Sequence, residues 1–155
     1  MDNADNVDGA ENADSAQPGF DAAAERAAAA VSEPAEPAEP SAGAGLLIHG
    51  LGPDSGTWLE GLLRSAGNAR SALGPERRIE VVVQGPGVRL LRTGIGDPLL
   101  LEAALEHGIA VLACENSMHR AGVQKDELRR GVGSVDAAVA HLARRQWEGW
   151  AYVRI

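Results

Sequence analysis

Residues 45–155 predict an α/β fold built on a mostly parallel sheet, and three observations carry that expectation. Short apolar runs alternate with helical stripes along this stretch, the order that crossover units impose. Ile79-Glu80-Val81-Val82-Val83 is β-branched without an apolar–polar alternation, which calls for burial on both faces of a sheet. Gly and Pro clusters (Gly50–Gly56, Leu73-Gly74-Pro75, Gln84-Gly85-Pro86-Gly87, Gly94–Pro98) separate the runs like punctuation.

Gly45–His49 reads as a first buried strand, followed by a loop over Gly50–Gly56. Asp54 or Ser55 is placed to cap a helix beginning near Thr57, where Trp58, Leu59, Leu62, Leu63 and Ala66 form one apolar stripe. Ile79–Val83 is the second strand, Gln84–Gly87 a tight loop at its carboxyl end, and Val88, Leu90 and Leu91 a short helical turn. Leu99–His107 gives a compact helix closed by Gly108. Ile109–Ala113 is a third strand, read as fully buried, with Cys114 where it runs out. Glu115–Ala121 suits a short helix stopped by Gly122, and Val123–Leu128 a polar turn. Val132–Val135 is a short fourth strand, Asp136 the cap of a helix running to Gln146, and Trp150–Ile155 the last strand.

Composition divides the chain. Residues 1–44 hold ten Asp and Glu against a single Arg, a balance of −9 within a total of −8, so the remainder stands at +1. This segment, Ala- and Pro-rich with Glu33-Pro34-Ala35-Glu36-Pro37 repeating a three-residue unit, is expected to be a disordered, solubilising tail; Ala22–Val31 could form a transient helix. The acidity belongs to the tail, and residues 45–155 form one domain. No basic stripe or aromatic platform points to nucleic acid. The doublets Arg77-Arg78, Arg129-Arg130 and Arg144-Arg145 read as solvated charges, the last closing a helix whose carboxyl end favours cations. No apolar run reaches the ~18 residues of a membrane span. Residues 1–20 resemble neither a secretory signal nor a transit peptide, so a cytoplasmic protein is expected. The single cysteine excludes an internal disulfide and disfavours a disulfide-cycling reductase.

Candidate chemistry centres on Cys114. A thiol at a strand's carboxyl end, near a helix amino terminus, sits where open α/β sheets place their ligand crevice, and the helix dipole favours its thiolate. The amides of Asn116 and Ser117 could hold a thiolate or persulfide anion. His49, ending another strand on the same edge, is a candidate base facing Cys114, with Arg120 or Lys125 as sources of positive charge. Gln84, Gly85 and Gly87, with Glu115, Asn116 and Ser117, are candidate ligand-binding residues lining the same crevice. His119 is a second candidate helper, although five residues after Cys114 on a helix turn it away from the thiol; His107 and His141 read as surface, and Trp147, Trp150 and Tyr152 as core or subunit contact. A metal site from Cys114, His49 and Glu115 lacks the short ligand spacing of zinc sites, so no metal and no cofactor is expected. The opposing reading makes Cys114 a small buried hydrophobe in a non-catalytic ligand-binding or assembly module.

The run Ile79–Leu91, the helix Leu99–Gly108, then Val111-Leu112-Ala113-Cys114-Glu115-Asn116-Ser117-Met118 and the ending Gly149-Trp150-Ala151-Tyr152-Val153 together resemble the DsrE/DsrF-like family, named for proteins of intracellular sulfur oxidation and sulfur relay. His49, Trp58 and Asn68 also fall where members often carry such residues. The resemblance implies a three-layer α/β/α sandwich on a five-stranded parallel sheet, assembly as trimers or hexamers, a sulfur-transfer protein as partner, and Cys114 carrying sulfur as a persulfide.

Overall fold

A computed structural model describes residues 43–96 and 98–155; the expectations for the acidic tail and for Ala22–Val31 lie outside the described residues. Five strands, β1 (Leu46–Leu51), β2 (Ile79–Gln84), β3 (Ile109–Cys114), β4 (Gly133–Val135) and β5 (Ala151–Arg154), form one sheet in the order β4-β3-β2-β1-β5. All four pairings are parallel. The helices are α1 (Gly56–Leu73), α2 (Leu99–Glu106), α3 (Glu115–Ala121) and α4 (Ala138–Trp147), with 3-10 turns at Pro86–Leu91 and Lys125–Glu127. The predicted elements are therefore present in order, and the fold is the expected three-layer α/β/α sandwich.

The layers are unequal, and chain order explains why. From β1 to β4 each strand is laid down on the same side of its predecessor, whereas β5 returns to the far side of β1. Right-handed crossovers then put α1, α2 and α3 on one face, and the single reversed crossover puts α4 on the other. Leu62, Val81, Val83, Val88, Leu91 and Val111 belong to the larger apolar cluster beneath the three helices. Under α4 the cluster is small: Leu47, Val82, Cys114, Ala138, Leu142 and Trp150. This asymmetry corrects the reading of β3 as buried throughout. Ala110 is exposed and Leu112 half-buried, because both face the side that only one helix covers.

Glycine in the first loop has a packing reason. A Cβ on Gly52 would lie 2.0 Å from the Trp58 indole, and one on Gly87 would lie 2.3 Å from the same ring. The ring thus occupies space that side chains would fill, and both loops close over it. Gly87 N–H donates to the Gly52 carbonyl at 3.1 Å, tying the two loops together.

Candidate functional site

The strand order reverses between β1 and β5, and in an open sheet such a reversal leaves a crevice at the carboxyl ends. Register brings four polar side chains to that place on the α4 face. His49 pairs with Arg154 and with Val82, Leu47 with Tyr152, and Leu51 with Gln84. Period-2 alternation along each strand therefore points His49, Gln84, Tyr152 and Arg154 the same way. His49 Nε2 lies 2.9 Å from Gln84 Oε1, and Nδ1 lies 2.9 Å from the Tyr152 hydroxyl. With the Gln84 oxygen as acceptor, the proton sits on Nε2, and Nδ1 accepts from Tyr152. Burial holds His49 below its ordinary value of 6.5; the Gln84 bond acts against that shift and the nearby Arg154 charge adds to it. The site thus presents a neutral imidazole whose two nitrogens are both engaged, with a phenol at its outer edge that is 40% exposed.

Cys114 shares this face but not this cluster. It stands two strands away across β2 and two residues beyond the level of His49, which puts the backbones about 12 Å apart. The expected pairing of His49 with Cys114 is not formed. The thiol is 1% exposed and belongs to the small apolar cluster that includes Leu47, Val82, Ala138 and Leu142. Its Sγ accepts the backbone N–H of Ala138 at 3.4 Å. Ala138 is the first residue of α4, so the sulfur satisfies one of the amides that a helix start leaves open. This corrects two expectations. Asp136 is not the cap of α4: Ala137 holds that position without a side-chain bond. The amide at the sulfur comes from α4, not from Asn116 or Ser117, because α3 packs on the opposite face from the thiol.

The remaining predicted residues fall into two further groups. Ser117 is buried, and its hydroxyl accepts the Gly85 N–H at 2.9 Å. Gly85 holds φ +80°, a conformation that a side chain would strain. Gly85, Pro86, Arg89, Ser117, Arg120 and Ala121 line a cavity of about 190 Å³ on the face of the three helices. Glu115 turns outward, to Lys125 Nζ at 2.6 Å and the Ser134 hydroxyl at 2.7 Å. The bonds from Lys125 and then Ser134 hold its carboxyl below the ordinary range. Asn116 and His119 are exposed. The structure thus brings Gln84 to His49 and Gly85 to Ser117, and keeps both groups apart from Cys114.

Two groups of polar residues escape a reading of the sequence. Tyr152 and Arg154 join His49 only because β5 lies beside β1, a neighbour relation that chain order does not disclose. On the α4 face, buried Glu80 receives His141 Nε2 at 2.7 Å, Arg145 Nη2 at 2.6 Å and Arg145 Nε at 3.1 Å. His141 is therefore turned inward instead of lying on the surface, and Arg145 reaches the sheet instead of serving only the end of α4. One signal was available: a glutamate inside a β-branched run must be paired if buried. Of the three aromatics, Trp150 is core, Tyr152 lies at the site, and Trp147 is 82% exposed.

A three-layer sandwich with polar groups at the carboxyl edge of a five-stranded parallel sheet defines a class of α/β proteins. Within that class the chain belongs to the DsrE/DsrF-like family, which matches residues 53–155. A structure of a protein of unknown function from Methanobacterium thermoautotrophicum is similar at 31% identity and TM-score 0.65, covering 72% of this chain and 99% of that one. The ychN protein from E. coli is similar at 18% identity and TM-score 0.62, covering 72% of this chain and 99% of that one. A conserved protein of unknown function from Bacteroides thetaiotaomicron follows at 18% identity and TM-score 0.51, covering 70% and 94%. None of the curated proteins matches the chain. Among the described residues no helix is long and apolar enough to cross a membrane.

Proposed function

We propose that this chain is a sulfur-relay component in which Cys114 accepts sulfur as a persulfide and passes it on. The observation that carries the reading is the Ala138 N–H directed at Sγ from the head of α4, since amides and the positive end of a helix favour a sulfur anion. In the loading step the thiolate attacks the outer sulfur of a donor persulfide, R–S–SH. A new S–S bond forms at Cys114, the donor's S–S bond breaks, and the electron pair leaves on the donor thiolate, so no external oxidant is needed. Delivery to a sulfur-transfer partner is the same exchange in reverse. Because the thiol is covered, both steps require the first turn of α4 to part from β3.

That burial also favours a second reading, in which Cys114 is packing and the chain is a small-ligand-binding or assembly module centred on His49, Gln84 and Tyr152. Self-association into a trimer or hexamer fits either reading. Its support is the apolar surface on edge strand β5 (Tyr152, Val153) and Ile155 just beyond it, and on α4 (Val139, Trp147).

Intact-mass measurement after exposure to a polysulfide separates the two. The carrier is expected to gain one sulfur per chain in the folded state. Cys114→Ser should gain none while keeping its circular dichroism spectrum. A thiol that is modified only after denaturation leaves the module reading in possession. Sedimentation analysis of the same samples reports the oligomeric state.

A further inference from the structure

We infer a second binding site at the opposite, amino-terminal edge of the sheet: an arginine-lined pocket for a diphosphate group. Its cavity of about 310 Å³ is bounded by Arg70, Arg77, Arg78, Glu80, Ala110 and Arg145, among others. These residues come from α1, the turn before β2, the starts of β2 and β3, and α4, so only the folded chain assembles them.

Charge is the first argument. Four arginines line a cavity whose lining contains one carboxylate, Glu80. Glu80 is already committed to Arg145 and His141, and Arg145 Nη1 donates to Glu148 at 2.9 Å, so the uncompensated charge comes from Arg70, Arg77 and Arg78. Arg70 meets no carboxylate among the described residues. It donates through Nη1 to the carbonyls of Gly74, Pro75 and Arg77, and through Nη2 to that of Gly108. Arg70 therefore adds charge and also fixes the turn that carries Arg77 and Arg78. Like charges that share one cavity wall repel, and a bound anion relieves that repulsion.

Free donors are the second argument. The Arg78 guanidinium carbon lies 4.6 Å from the centroid of the Trp150 ring, and that of Arg145 lies 4.7 Å from it. Gly45 makes room for that ring, since a Cβ there would lie 2.6 Å from it. Stacking fixes Arg78 without using its N–H groups, which have no acceptor among the described residues. Among the described residues the Arg77 side chain uses only Nη1, donating to the Ala44 carbonyl at 3.2 Å. Two oriented arginine forks with open donors suit paired phosphate oxygens. The volume stands at the small end of ligand pockets, and the excess positive charge asks for a multivalent anion. Trp150 is already covered by guanidinium groups, so recognition falls on the diphosphate and not on an attached base.

The test is calorimetric titration of the full chain with sodium pyrophosphate, ADP and inorganic phosphate at low ionic strength, with NMR of the arginine Nε–H groups. Pyrophosphate should bind saturably, one per chain, and shift the Arg77 and Arg78 signals. Arg77→Gln and Arg78→Gln should each weaken binding about tenfold, the loss expected for one charge-assisted contact. Arg78→Lys, which keeps the charge but loses the fork, should fall between wild type and Arg78→Gln. Should Arg78→Gln fail to fold, Arg77→Gln in its exposed turn decides alone. Comparable affinity for ADP assigns the diphosphate of a nucleotide; binding of pyrophosphate alone assigns the free anion; either upholds the site. Absence of saturable binding overturns it. So does unchanged affinity in Arg77→Gln, or inorganic phosphate binding as tightly as pyrophosphate. Cys114→Ser should bind pyrophosphate like wild type, so this result stands apart from the fate of the sulfur-carrier reading.

Discussion

The two faces of the sheet are built from the same strands and do different work. Beneath α1, α2 and α3 the strands present Ile48, Val81, Val83 and Val111 to a continuous apolar layer. On the α4 side the same strands present His49, Glu80, Gln84 and Cys114 beside a small apolar cluster, the polar groups engaged in side-chain hydrogen bonds. The stability of the domain is concentrated on the first face and its polar chemistry on the second. The cause is the direction of the crossovers: three run one way and a single one returns.

Truncation on each face tests this contrast most strongly. Leu62→Ala, fully buried in the larger layer, should lower the unfolding free energy by about 3–5 kcal/mol. Leu142→Ala, in the small cluster under α4, should cost less, about 2 kcal/mol. Denaturant titration measures both, and similar values for the two would erase the distinction between the faces.

Next in size is the ionic cluster under α4. Glu80→Ala strips Arg145 and His141 of their shared acceptor and should cost about 2–3 kcal/mol, given the burial of the carboxylate. A negligible cost in the same denaturant titration would mean that this face is held by Leu142 and Trp150 alone.

The smallest effect concerns His49. Its folded-state midpoint lies below 6.5, so between that midpoint and 6.5 the folded chain binds fewer protons than the unfolded one. Stability from this group is complete above pH 6.5 and is lost as pH falls toward the folded midpoint. An NMR titration should place the His49 midpoint below 6.5, with protonation reversing the Tyr152 bond so that Nδ1–H donates to the hydroxyl oxygen. A midpoint at or above 6.5 would sharpen the contrast the other way, by making the crevice more solvated than its geometry indicates. Gln84→Ala should move the midpoint further down, since the Gln84 bond opposes the shift.

Much of the architecture was legible before any coordinates. Apolar runs bounded by glycine marked the five strands, and the stripe from Trp58 to Ala66 marked α1. The position of Cys114 at the end of β3 was equally plain, but not the direction of its sulfur. Along a strand, neighbouring residues face opposite ways, so the side toward which Cys114 points depends on which helix lies over which face. The arginine doublets illustrate the same limit. Arg77-Arg78 and Arg144-Arg145 read as solvated charges one at a time, yet Arg77, Arg78 and Arg145 meet Arg70 around one cavity.

Local patterns of apolarity, turn residues and charge are properties of a few consecutive residues, so the sequence by itself determined the elements, a mostly parallel sheet and the family of the chain. Tertiary structure alone decided that β5 lies beside β1, that the Cys114 thiol caps α4, and that His49 meets Tyr152 and Gln84. Those contacts join residues far apart in the chain, and they depend on the crossover that reverses direction and on the period-2 alternation of each strand.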